Sequence, residues 1–286
     1  MTNSPLFSVL IAQYNNGKYL LEAIDSVRAQ TYTNWEIIIV DDASTDNSKE
    51  IYSILTNDPQ IKIYFNEENK GCGYTKHRCA ELAKGELCGF LDPEDTIEQE
   101  TLEVMCDEHL KYPEASIVSS RLRMFNEKWE LLWESPISNN MTDNYLFTGE
   151  GRPVNFVSYK TDLYKKSAKI NCSFKRAVDQ YLYYILEEVG EKKAVNKFLY
   201  NYRINSNGIS TGENEYKAFY WHIIAIKEAA ERRGVSSEDV ASIYINKVFG
   251  GLKNGKDQVL NSTEYKLGSF LMKPYKRLTR LFYKGK

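Results

Sequence analysis

The chain has 286 residues, 42% of them hydrophobic and 27% charged, with a formal net charge of −2 at pH 7. That composition suits one large globular domain, or a domain with an appendage. The near balance of charge removes the basic face that nucleic-acid partners require, and no run of about 18 apolar residues, the length that spans a bilayer, is present. Five cysteines (Cys72, Cys79, Cys88, Cys106 and Cys172) form an odd set without a Cys-x-x-Cys pair. Neither a disulfide framework nor a zinc site is suggested, and a reducing cytoplasm is the expected setting. The opening Met-Thr-Asn-Ser-Pro lacks the basic-then-apolar pattern of a leader.

Short apolar runs alternate with helical patterns over the first hundred residues. Phe7 to Ala12 reads as a strand, Asn15-Asn16-Gly17 as a turn, and Leu20, Ile24 and Val27 as one face of a helix. Trp35 to Val40 is apolar on both faces, as a central parallel strand must be. A polar turn over Asp41 to Asp46 precedes a helix with Ile51, Ile54 and Leu55. Ile61 to Phe65 is a third strand, Tyr74 to Ala83 a third helix, and Leu87 to Leu91 a fourth strand. This βαβαβαβ order predicts a parallel sheet with right-handed crossovers and a ligand site beyond its carboxyl ends. The polar clusters at 13–16, 41–46 and 92–95 all fall there. Further on, Ala115 to Val118 and Val154 to Tyr159 read as strands and Asp179 to Val189 as a helix. Residues 134–152 have loop composition, and are the candidate acceptor or lid loop. Tyr216 to Arg233, stopped by Gly234, and Ser237 to Phe249 close the sequence as helices.

The sharpest feature is Asp92-Pro93-Glu94-Asp95 at the end of the fourth strand. Residues i and i+2 of an extended chain point the same way, so Asp92 and Glu94 can converge on a hard cation such as Mg²⁺ or Mn²⁺. The plainer reading makes Asp95 and Glu98 a helix capping box after a strand that Pro93 ends. In the second cluster, Val40 to Asp46, carboxylates can accept hydrogen bonds from a base N–H or a sugar hydroxyl, or Ser44 or Asp46 can cap the next helix. Two acidic turns facing one crevice repel each other unless a cation or N–H donors stand between them.

Taken together and in order, these residues resemble the inverting family 2 glycosyltransferases of the GT-A fold. The resemblance covers roughly residues 6–210. It runs through Ser8 to Ile11, Gln30-Thr31-Tyr32, Trp35 to Asp46, Asn69-Lys70-Gly71, Ala83 to Glu86, Phe90 to Asp95, and Tyr202-Arg203 with Ser206, Ile209 and Ser210. It implies an α/β fold with a mostly parallel central sheet in a domain at 1–210, followed by a helical extension at 211–286. It further implies inverting transfer of a sugar from a nucleotide-diphosphate donor, UDP above all, to a hydroxyl of a carbohydrate or lipid-linked acceptor in surface polysaccharide or glycolipid assembly. Ala12, Tyr14, Asp42, Lys76 and Asp92 are then the donor-binding residues. Asp92 and Glu94 hold Mn²⁺ or Mg²⁺, and Asp179 is the catalytic base. The chain departs from the family pattern at Ala12 (usually Pro), Lys76-His77 (Arg-Asn), Cys79 (Gly), Glu94 (Asp), Val178 (an acid) and Asn205 (His). Those at 76, 94 and 205 are the support for an alternative, a weak or inactive nucleotide-sugar-binding subunit.

Other classes fit less well. Gln13 to Gly17 lacks the Gly-x-Gly-x-x-Gly of dinucleotide oxidoreductases, and no P-loop sequence occurs. His77 and the group Tyr181, Tyr183 and Tyr184 read chiefly as packing residues, the tyrosines with a lesser claim as a sugar platform. Leu267, Phe270, Leu271, Leu278, Leu281 and Phe282 recur among Lys266, Lys273, Lys276, Arg277, Arg280 and Lys284. Such a basic amphipathic segment over 266–284 either lies on an anionic membrane surface or packs back on the protein.

Overall fold

The computed structural model describes residues 4–136, 153–204, 214–236 and 238–240. Asn205, most of the 134–152 segment, most of the 237–249 helix and the 266–284 tail lie outside the described residues.

The βα order of the first half is as the periodicity predicts. Strand β1 (Phe7–Gln13) leads to α1 (Gly17–Arg28), β2 (Trp35–Asp41) to α2 (Ser48–Leu55), β3 (Ile61–Phe65) to α3 (Cys72–Leu82), and then comes β4 (Leu87–Phe90). The four pair in parallel in the order β3-β2-β1-β4. Every residue of β2 is buried, and its two faces feed two different apolar clusters. Ile38 and Val40 join Leu10 and Phe90 under α3 on one side. Ile37 and Ile39 join Val9 and Ile11 under α1 and α2 on the other. A period of two thus builds a three-layer sandwich, as a strand between helix layers requires.

Beyond β4 lie β5 (Thr96–Ile97), α4 (Thr101–Lys111), β6 (Ala115–Phe125), β7 (Leu131–Glu134), β8 (Val157–Lys160), α5 (Thr161–Lys166), α6 (Val178–Glu187), β9 (Glu191–Arg203) and α7 (Glu215–Arg232). The sheet continues from β4 as β8-β6-β9-β5 with β7 beside β6, mostly antiparallel, although β6 and β9 run parallel. The long strand β9 and the short elements α5, β5 and β7 carry no clear sequence period. Helix α7 ends before Gly234, whose φ of +64° suits glycine. Ala225, Ile226, Ala229 and Ala230 of α7 pack in the same cluster as Val178, Tyr181, Leu182 and Ile185 of α6.

Candidate active site

The turn that leaves β4 alternates its side chains, with Asp92 and Glu94 partly exposed and Pro93 and Asp95 buried. The Asp95 N–H donates to the Asp92 carbonyl at 3.0 Å and closes the turn. The Asp95 carboxylate does not cap a helix, which corrects the capping-box reading. It accepts from the Tyr200 hydroxyl at 2.6 Å and the Arg203 N–H at 2.7 Å, while α4 begins only at Thr101 without a side-chain cap. Donors from distant β9 claimed the acid before a local helix could. Burial pushes the Asp95 carboxyl well up, with Glu94 and Asp92 adding to the effect.

Asp92, Lys76 and Asp179 converge, though they come from β4, α3 and α6. The Lys76 ammonium lies 2.6 Å from Asp179 Oδ1 and 3.2 Å from Asp92 Oδ1, and sits over the Phe90 ring at 5.1 Å from its centroid. Its side chain is only 5% exposed, against 30% for Asp92 and 36% for Asp179, so the cation sits inside and the two acids face the opening. Burial alone would lower the Lys76 pKa, but Asp179 and Asp92 hold it well above the usual lysine value. Asp179 stands in the first turn of α6, where the helix dipole favours an anion. Ala177, at φ +54°, bends the chain sharply into that helix. Glu94 accepts from the Asn16 amide at 3.1 Å. Burial, and after it the Asp92 charge, push its carboxyl up to about 7.

The second acidic turn is spent differently. Asp42 Oδ1 accepts from the Asn66 amide at 2.6 Å and the Lys70 N–H at 2.8 Å, and Oδ2 accepts from the Gly71 N–H at 2.8 Å. Asp42 thereby fixes the loop that opens α3. Asp41 accepts from the Ser44 N–H at 2.7 Å and from the Tyr52 hydroxyl. Asp46 accepts from the first N–H of α1, Gly17, at 2.8 Å and that of α2, Ser48, at 3.0 Å. It therefore serves two helix starts rather than one. Burial raises its pKa, but the bonds from Ser48 and Gly17 prevail and hold it below the usual aspartate value. Ser44 does not cap α2; its hydroxyl accepts from the Asn15 N–H at 3.0 Å. Ala12 is half-buried near the end of β1, and Tyr14 is exposed just beyond it. Cys72, in the first turn of α3, lies among these groups. Burial pushes its thiol up to about 12, Lys76 opposes this, and Asp179, Asp92 and Asp42 all add to it. Asp92 and Asp179 thus meet on Lys76, with Asp42 just beyond the end of β2 at the same carboxyl edge of the sheet.

The residues at the β4 end fit a hard divalent cation. Burial raises the proton affinity of both, with Asp179 adding to it at Asp92 and Asp92 adding to it at Glu94 while Lys76 opposes it at each, a crowding of acids that an added cation would relieve. Among the described residues no three His, Cys, Asp or Glu side chains gather as a complete metal cage. The fit is to an ion such as Mg²⁺, held by one or two carboxylates with phosphate and water completing its shell.

His77 is structural, with Nδ1 2.9 Å from the Ile170 carbonyl. Tyr181, Tyr183 and Tyr184 are all buried, so they pack α6 and offer no open sugar platform. Several residues at the site carried no distinctive local pattern: Asn16 on Glu94, Asn66 on Asp42, and Tyr200 beneath Asp92. Their partners lie at least 24 residues away in sequence, beyond the reach of any spacing rule.

A mixed sheet between helix layers, with acids at the ends of β2 and β4, is a GT-A-type architecture. The crystal structure of S. aureus TarS 1-349 in complex with UDP-GlcNAc aligns with a TM-score of 0.68 over 93% of this chain and 80% of that one, at 21% identity. The UDP complex of the same protein aligns at 0.60 over 85% of this chain and 72% of that one, at 21% identity. The chain belongs to glycosyl transferase family 2, whose sequence model matches residues 8–172. Among curated relatives, the chondroitin synthase of Escherichia coli is 27% identical over 237 residues, which are 81% of this chain and 33% of that protein. The glycosyltransferase GlyG of Streptococcus pneumoniae is 38% identical over 103 residues, 36% of this chain and 34% of that protein. The chain spans about a third of the length of these relatives. No helix among the described residues is long and apolar enough to cross a membrane.

Proposed function

We propose that this chain is a metal-dependent, inverting glycosyltransferase that moves a hexosyl unit from a UDP-sugar to a hydroxyl of a carbohydrate or lipid-linked acceptor. The observation that carries the reading is the meeting of Asp92 and Asp179 on one buried ammonium, Lys76. A transferase of this kind needs a diphosphate-facing acid and a base for the acceptor on either side of the reacting carbon. Asp179, with an oxygen at the cleft mouth, takes the acceptor proton as oxygen attacks the anomeric carbon. Attack opposite the leaving diphosphate inverts that centre in one displacement. Lys76 keeps a positive charge near the phosphates and orients both carboxylates. Asp92 and Glu94 would hold Mn²⁺ or Mg²⁺, which when bound supplies charge neutralisation for the departing diphosphate. Asp42 holds the 70–71 loop in place and keeps the second lone pair of Oδ2 for the base.

A UDP-sugar donor is supported by the UDP and UDP-GlcNAc complexes of TarS. A polysaccharide setting is supported by the chondroitin synthases of E. coli and Pasteurella multocida and the hyaluronan synthase of P. multocida. Work at the cytoplasmic face of a membrane, with the 266–284 segment as a peripheral contact, belongs to the same proposal. A panel of UDP-sugars, assayed for transfer and for donor hydrolysis with Mn²⁺ and with EDTA, tests it. Turnover with at least one donor, lost on chelation and in Asp179→Ala, is expected. UDP binding without turnover for any donor would favour the scaffold alternative instead.

A further inference from the structure

We infer that Tyr200 is a positioning residue for the acidic turn, its phenol on β9 setting the direction in which Asp92 and Glu94 face. This rests on the proposed function above. The Tyr200 side chain is fully buried and its ring stacks on Phe156 at 6.3 Å. Its hydroxyl donates to Asp95 Oδ2 at 2.6 Å and accepts from the Asp92 N–H at 3.4 Å. The Asp92 N–H can only donate, so the phenol oxygen accepts from it and turns its own proton towards Asp95. The other Asp95 oxygen is held by the Arg203 N–H, and the Asp95 N–H closes back on the Asp92 carbonyl. Asp95 is thus bolted to β9, and Asp92 and Glu94 are left on the partly exposed side of the turn.

A plain core role is the competing account, and the energetics speak against it. Burying a carboxyl group beside two more acids within three residues is costly, and burial already drives its proton affinity up. A phenylalanine over an apolar residue would fill the same space without that cost. The arrangement makes sense where geometry, rather than stability, is what it secures. Groups behind ion-holding side chains commonly cost about 10- to 100-fold in metal affinity when removed.

The test uses the full chain, with Tyr200→Phe and Asp95→Asn beside wild type. Calorimetry measures Mn²⁺ binding at saturating UDP, and UDP binding in EDTA. In wild type, Mn²⁺ should bind in the presence of UDP. In Tyr200→Phe, Mn²⁺ affinity should fall about tenfold or more, with metal-free UDP affinity within about twofold of wild type. A variant with lower thermal stability but wild-type Mn²⁺ affinity overturns the inference and leaves the proposed function intact. Wild-type UDP binding that ignores Mn²⁺ overturns the metal reading and this inference with it. Should Tyr200→Phe not fold, Asp95→Asn decides by the same two affinities.

Discussion

The two acidic turns at the carboxyl edge of the sheet look alike in sequence and behave in opposite ways. After β2, Asp41, Asp42 and Asp46 are each held by two or more of the protein's own donors, chiefly backbone N–H groups at 2.7 to 3.0 Å. After β4, Asp95 is held in the same way by Tyr200 and Arg203, whereas Asp92 and Glu94 have few such donors, and Asp92 faces Lys76, already shared with Asp179. A carboxylate with three N–H bonds is satisfied and builds a loop. One with a single lysine and an opening to solvent can still take a ligand. The supply of donors, rather than the acid content of the turn, decides which acids stay open to a ligand.

The largest expected effect lies on the under-supplied side. Asp179→Asn keeps the shape of the side chain but cannot accept the acceptor's proton. Its kcat should fall about 10²- to 10⁴-fold, with UDP affinity in Mn²⁺ unchanged within about threefold. Steady-state kinetics and calorimetry on the same preparation check this. A variant that retains kcat would remove Asp179 from the chemistry and leave the comparison one-sided.

Much of this division was hidden in the sequence, for physical reasons. The βα units of the first half are legible because their apolar periods are local, as in Leu20, Ile24 and Val27 of α1. Strand β9 is not, since its first half has no clean alternation of buried and exposed positions and its strand form comes from pairing with β6 and β5. Motif order singles out Asp92, Glu94, Lys76 and Asp179, but not the meeting of Asp92 and Asp179 on the Lys76 ammonium. The fates of Asp42, Asp46 and Asp95 were not legible, because their donors come from Lys70, Gly71, Gly17, Tyr200 and Arg203. A capping box was the natural local reading of Asp95, and a distant strand outcompeted it.

On the well-supplied side the main effect should fall on stability. Asp42→Ala removes the acceptor for two backbone N–H groups and the Asn66 amide. Hydrogen bonds to a charged group contribute about 1.5–3 kcal/mol, so a loss of about 3 kcal/mol is expected. Urea denaturation at pH 7.5 measures it. UDP affinity should weaken as well, since the 70–71 loop opens the helix that carries Lys76. Undiminished stability would mean that solvent replaces those bonds readily.

A smaller effect concerns a group remote from both turns that is kept neutral by its surroundings. His109 on α4 is buried, with Nε2 3.0 Å from the Ser158 hydroxyl and no partner for Nδ1 among the described residues. Burial, with Lys160 adding to it, pushes its pKa down to about 3. The unfolded chain takes up a proton below about pH 6.5 and the folded one does not. The folded state is therefore fully favoured above that pH and loses stability as the pH falls towards 3. At pH 5 the loss amounts to about 2 kcal/mol from this group alone. Denaturant titrations at pH 7.5 and 5.0 on wild type and His109→Gln measure it, and the substitution should remove that part of the slope.

The smallest effect is the most discriminating for the comparison. Asp46 touches only helix starts, where its charge meets the positive ends of α1 and α2. Asp46→Asn keeps a carbonyl acceptor for one N–H and loses the charge, which at a helix start is worth about 1 kcal/mol. For a chain of this size that is a fall of about 2–4 °C in Tm. UDP affinity and kcat should both stay within about twofold of wild type. If Asp46→Asn instead weakened UDP as strongly as Asp42→Ala, the turn after β2 would act on the ligand as a unit. The split between saturated and ligand-ready acids would then run through single oxygens rather than between turns.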